Sequence, residues 1–182
     1  KKNEKTYIVA IGAITNVALA IKKALDIIDK IEIIWLGGHS PICANNKEFN
    51  FEQDVQAIKE IFKSKVDLTI IPCKGVASNL KISIYELEHY LKGKSELCNY
   101  LCSRFYDDGI SGIKKRRTIW DISVIAYLIN TDWFEERKMD CPEINNNLSY
   151  IFNKNDRKIK FVTYLDSNKI YNDLFNKLVK EN

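Results

Sequence analysis

The chain has 182 residues, 46% of them apolar and 29% charged, the proportions of an ordinary globular protein long enough to bury a sizeable core in one domain. A formal charge of +4 is mild for a polyanion-binding module. The tightest basic run, Lys114-Lys115-Arg116-Arg117, has no interleaved aromatics and reads as a solvated loop, so no nucleic acid is expected as a partner.

In chain order, Tyr7 to Ile11 is a short apolar run ending at Gly12, which predicts a buried parallel strand. Thr15 or Asn16 is placed to cap a helix carrying Val17, Ala20, Ile21, Leu25 and Ile28 at helical spacing. Ile31 to Leu36 predicts a second strand, Asp54 to Ser64 a helix, and Asp67 to Cys73 a third strand. Strands alternating with helices at this pitch imply right-handed crossovers and a mainly parallel open sheet flanked by helices. Beyond Cys73 the pattern turns helical. Ser83 with Glu86 signs the start of a helix to Leu91, and a second runs from Ser95 to Phe105.

Asp107 to Arg117 is a polar loop, a lid or a plain connector, and helical periodicity resumes at Trp120. Met139 to Ile144, Leu148 to Asn153 and Lys158 to Leu165 read as edge strands, the last two forming a small C-terminal hairpin across Lys154-Asn155-Asp156-Arg157. Ser167 is placed to cap a final amphipathic helix. The chain reads as a single domain over residues 1–182. Five cysteines without paired metal spacing or a dense framework point to reduced thiols in the cytoplasm. The apolar runs are too short and too interrupted to cross a membrane, so no membrane partner is expected.

The second strand ends in Trp35-Leu36-Gly37-Gly38-His39, and the loop after it carries Asn45, Asn46, Glu48 and Asn50. Open α/β sheets bind ligands at the carboxyl ends of their strands. A carboxylate and amides on such a loop suit a polyol such as ribose, since each can hold a hydroxyl in fixed geometry. The competing reading is an ordinary polar turn. His39 either faces the pocket or is only solvated, and His89, on a helix, reads as structural.

The succession of Ile14-Thr15-Asn16-Val17-Ala18-Leu19-Ala20, Trp35-Leu36-Gly37-Gly38, Glu48-Phe49-Asn50 with Asp54, and Trp120-Asp121 resembles the inosine-uridine preferring nucleoside hydrolases over nearly the whole chain. The resemblance implies their α/β fold and hydrolysis of the N-glycosidic bond of a ribonucleoside or related N-riboside, with release of base and ribose. It also implies Ca²⁺, which holds the attacking water and two ribose hydroxyls. On the matching positions, Asp121 and the main-chain carbonyl of Ile11 are metal ligands, and Glu48 and Asn50 hold the ribose. Phe49 is expected near the sugar, and Asp54 as a helix cap.

Three departures qualify this. Many members carry a histidine just before the late aspartate, where this chain has Trp120, an indole that cannot donate an acid proton; Trp120 stacks on the base or fills the core. The ligand loop is short, and Asn45 or Asn46 stands in for an asparagine the family carries earlier. The family's opening Asp-x-Asp-x-Gly-x-Asp-Asp motif, which supplies most metal ligands and the catalytic base, has no match. The catalytic residues are therefore unassigned. The chain is expected to be the C-terminal part of a longer protein, inactive alone, and to associate with itself as a homo-oligomer or with the missing N-terminal half. The alternative is a non-catalytic ribose- or nucleoside-binding or regulatory protein.

Overall fold

A computed structural model describes residues 5–107 and 116–180, which fall into two compact units, Lys1–Ser78 with Trp120–Leu165 and Asn79–Ile119 with Asp166–Asn182. The first unit is built on a five-stranded sheet. Strands β1 (Thr6–Ala10), β2 (Ile31–Leu36) and β3 (Asp67–Ile71) run parallel in sequence order, β9 (Lys158–Leu165) joins β3 in parallel, and β6 (Phe134–Asp140) closes the far side antiparallel to β9. The expected α/β architecture with a mainly parallel sheet is the one observed.

Strand β2 shows why this sheet is buried on both faces. Ile31, Ile33 and Trp35 point into a cluster with Ile14, Ala18 and Ile21 and with Ala57, Ile58 and Ile61. The first three come from helix α1 (Thr15–Lys23) and the residue before it, the others from α3 (Val55–Lys63). Ile34 and Leu36, at alternate positions and equally buried, point to the opposite face, where α6 (Ile122–Ile129) packs on β1 and β2. Burying each of these large side chains contributes about 2 kcal/mol.

The local signals were partly redirected. Thr15 does not cap α1; Ile14 holds the cap position and no side chain bonds to the helix end. The helix stops at Lys23, and Leu25–Lys30 is a 3₁₀ segment rather than its continuation. The hairpin expected from 148–153 and 158–165 is not formed. Instead β9 lies inside the sheet between β3 and β6, and the short strands β7 (Glu143–Ile144) and β8 (Tyr150–Ile151) pair with each other. The alternation along β9 is compatible with either arrangement locally, and its partner β3 lies some ninety residues away in sequence, beyond the reach of any turn signal.

In the second unit, β4 (Lys81–Ser83) pairs antiparallel with β5 (Arg116–Thr118), so Arg116 and Arg117 sit in a strand; the rest of the anticipated loop, 108–115, lies outside the described residues. Helices α4 (Ile84–Leu91), α5 (Glu96–Asp107) and α7 (Ser167–Lys180) enclose Leu91, Cys98, Cys102, Phe105 and Phe175. The predicted Ser83–Glu86 capping box is present on α4. Helix α7 is held by Asp166, whose carboxylate accepts from the N–H groups of Asn168 and Lys169, so the cap is one residue earlier than expected. Among the described residues no helix is long and apolar enough to cross a membrane.

Candidate active site

The carboxyl end of β2 opens into a turn that only glycine tolerates. A Cβ on Gly37 would sit 2.3 Å from the Trp35 ring. Gly38 has φ +68°, and a Cβ there would approach the Tyr150 hydroxyl to 2.6 Å and Phe51 to 3.0 Å. Trp35 is itself fixed, its indole N–H donating to the Gly12 carbonyl at 2.9 Å and its ring stacked on Phe51 at 6.0 Å between centroids.

Glu48 fastens the loop that follows to this turn. Its carboxylate accepts from the backbone N–H of Gly38 (2.9 Å), Asn50 (3.0 Å) and Phe51 (3.1 Å), capping the short helix α2 (Phe49–Glu52) while tying it to the Gly-Gly turn. Three N–H donors make a buried carboxylate tolerable. Asn50 donates from Nδ2 to the Leu36 carbonyl at the strand end, 2.9 Å away. Asn46 lies beneath, 1% exposed: its Oδ1 accepts from the His39 N–H and its Nδ2 donates to the Leu148 carbonyl. Farther along, Asp54 caps α3 by accepting from the Ala57 N–H, and it also accepts from the Thr15 hydroxyl at 2.6 Å. The Thr15 hydroxyl, followed by the Ala57 N–H, holds the Asp54 carboxyl below the usual aspartate range. Two motifs 39 residues apart in sequence are thereby joined.

Above the turn is a cavity of about 500 Å³. Of the residues singled out from sequence, Ile11, Glu48, Phe49, Asn50, Trp120 and Asp121 all line it. Asn46 does not; both ends of its amide are spent on the loop backbone. His39 faces the cavity, with Nδ1 accepting from the Lys74 N–H at 3.4 Å, which leaves the proton of a neutral ring on Nε2. Phe49, at 78% exposure, and Trp120, at 40%, are wall residues rather than core. Asp121 begins α6 without capping it, and its side chain makes no hydrogen bond or ion pair among the described residues; partial burial pushes its carboxyl above the usual aspartate range.

Leu36, the last residue of β2, and Lys47, Cys73 and Lys74 complete the lining, and the latter three were not anticipated. Cys73 and Lys74 follow β3, so the rule that ligands sit at carboxyl ends of parallel strands, applied to the third strand as well as the second, would have found them. Burial pushes the Cys73 thiol well up, with the neighbouring Glu48 charge adding to it, so it remains a protonated thiol at neutral pH.

The cavity does not by itself hold a metal. A Ca²⁺ ion takes about six to eight oxygens, several of them carboxylate. Here Asp121 is the one unengaged carboxylate lining the cavity, Glu48 is turned to backbone N–H groups, and among the described residues no three His, Cys, Asp or Glu side chains gather to hold an ion.

The fold and site define an α/β protein with a pocket at the carboxyl ends of parallel strands, walled by aromatics and floored by amide and carboxylate oxygens. The family model for inosine-uridine preferring nucleoside hydrolase matches residues 1–172, and the chain belongs to that family. Uridine nucleosidase 1 of Arabidopsis thaliana is 30% identical over 131 residues, covering 65% of this chain and 38% of that protein. The crystal structure of an inosine-uridine preferring nucleoside hydrolase from Bacillus anthracis shares the fold with a TM-score of 0.78 at 18% identity, over 98% of this chain and 61% of that one. An inosine-guanosine nucleoside hydrolase gives 0.81 at 15%, over 98% and 63%. The type III effector protein XopQ, solved with adenosine diphosphate ribose, gives 0.57 at 12%, over 98% and 58%. The chain thus spans less than two thirds of each of these relatives.

Proposed function

We propose that this pocket binds the ribose of a nucleoside or related N-riboside, and that the protein containing it hydrolyses the N-glycosidic bond to release base and ribose. The observation that carries the reading is the convergence of Glu48, Asn50 and Asp121 on one cavity in a chain of the nucleoside hydrolase family. Glu48 uses three of its carboxylate's roughly four acceptor sites on backbone N–H groups, leaving one for a sugar hydroxyl. Asn50, its Nδ2 committed to Leu36, offers Oδ1. Bonds from ribose hydroxyls to these oxygens strengthen as positive charge develops on the sugar, which favours the transition state over the ground state. Phe49 and Trp120 supply apolar faces for ring and base.

Ca²⁺ belongs to this reading as the group that would activate water. This chain would offer it the Asp121 carboxylate and the Ile11 carbonyl, with the remaining oxygens coming from other parts of the protein. The five cysteines are free thiols, which suits a reducing compartment, the cytoplasm.

The test is release of reducing sugar from inosine and uridine by the full-length protein. Base and ribose should appear in equal amounts, and Asp121→Asn or Asn50→Ala should slow turnover about a hundredfold. Binding of riboside without release would favour a non-catalytic riboside-binding protein, and the absence of both binding and release would overturn the reading.

A further inference from the structure

The same cavity carries a cationic group that an uncharged nucleoside leaves unused. Lys47 and Lys74 line it together with His39. The three come from separate segments held at one turn. The His39 Nδ1 accepts from the Lys74 N–H, the Ser40 N–H donates to the Lys74 carbonyl at 3.0 Å, and the Cys73 N–H donates to the Gly38 carbonyl at 2.9 Å. Lys47 precedes Glu48, whose carboxylate is bonded to the Gly38 N–H. Both lysines are exposed, and among the described residues neither makes an ion pair. The nearby negative charge of Glu48 is already met by three backbone N–H groups rather than by a lysine. Two unpaired ammonium groups and an imidazole Nε2–H beside a polyol pocket match the oxygens of a phosphate.

We propose that the preferred ligand is a phosphorylated riboside, its phosphate on the exocyclic 5′ carbon and held by Lys47, Lys74 and His39. The 5′ position is the one at which phosphate leaves the 2′,3′-diol open to Asn50 and Asp121. This inference rests on the riboside reading of the pocket and names its substrate class. The bond cleaved is unchanged: water's oxygen bonds C1′, the C1′–N bond breaks, a proton goes to the base, and the sugar product is ribose 5-phosphate.

The experiment titrates the full-length protein calorimetrically with inosine, inosine 5′-monophosphate and inorganic phosphate at one ionic strength. The monophosphate should bind about tenfold or more tighter than inosine. That ratio should collapse towards one in Lys47→Ala/Lys74→Ala and persist in Lys47→Arg/Lys74→Arg, which keeps the charge and separates phosphate recognition from damage to the loop. Equal binding of inosine and its monophosphate would overturn the inference and leave the riboside reading standing. So would a ratio that survives in the double alanine variant, or inorganic phosphate binding as tightly as the monophosphate. Failure of every riboside to bind would remove the riboside reading itself.

Discussion

Glu48 was legible as a residue of the pocket wall because a carboxylate stood between amides on a loop after a strand. What the sequence did not disclose is that its charge is held by the loop's own backbone, since those donors carry no side-chain signature. The same residue is therefore both wall and fastening. In Glu48→Gln the amide oxygen can serve the Gly38 and Phe51 N–H groups that now share Oε2, but the NH₂ then faces the Asn50 N–H bonded to Oε1. A buried donor left unsatisfied costs about 1–3 kcal/mol, and thermal melting of the variant should fall accordingly, apart from any loss of turnover. Gly38→Ala should be worse than Gly12→Ala. Gly38 has positive φ with three neighbours within 3.1 Å of an added Cβ, whereas nothing lies within 4 Å at Gly12. Comparable melting of the two variants would refute the strained turn.

At the scale of elements, the alternation of strand and helix through residue 71 was legible because each segment's period is set by neighbours on its own chain. Caps were less so. A threonine before a helix reads as its cap, yet Thr15 donates to Asp54, and that carboxylate serves the start of α3. The contact couples two helices, and no local rule scores it. Asp54→Ala should cost about 1 kcal/mol, the usual value of an N-cap. The pH dependence has a definite sign. The Asp54 carboxyl titrates lower folded than unfolded, so its contribution is present above the ordinary aspartate pKa and is lost as pH falls through the folded value. Urea melts of wild type and Asp54→Ala should differ at neutral pH and draw together as pH falls through the folded Asp54 value; a constant difference would mean the side chain acts through packing alone. Ser83→Ala, which removes the capping box of α4, should likewise cost about 1 kcal/mol.

For the whole molecule, the sequence motifs showed both a pocket and its shortage of metal ligands, since the family's Asp-rich motif has no match in this chain. With one unengaged carboxylate in the cavity and no group of three metal-binding side chains among the described residues, this chain alone should bind Ca²⁺ weakly. Calorimetric titration giving micromolar or tighter affinity would contradict that. The sheet carries a second consequence. Strand β1 stands at one end of the order β1-β2-β3-β9-β6 and, among the described residues, is paired on one side only, so its outer backbone groups are open to another strand. Tyr7 within the strand and Ile11 just after it are each 51% exposed, adding apolar surface to the unpaired polar groups. Natural sheets blunt such edges with charge, and the only lysine flanking β1 among the described residues, Lys5, is engaged with Asp67. The 182-residue chain should therefore self-associate through β1, or accept there a strand from elsewhere in the protein. Light scattering on size-exclusion should show a species larger than a monomer whose share grows with concentration, and Tyr7→Lys should reduce it by placing charge at the edge. A concentration-independent monomer, or an oligomer indifferent to Tyr7→Lys, would show that this edge is not the surface that pairs.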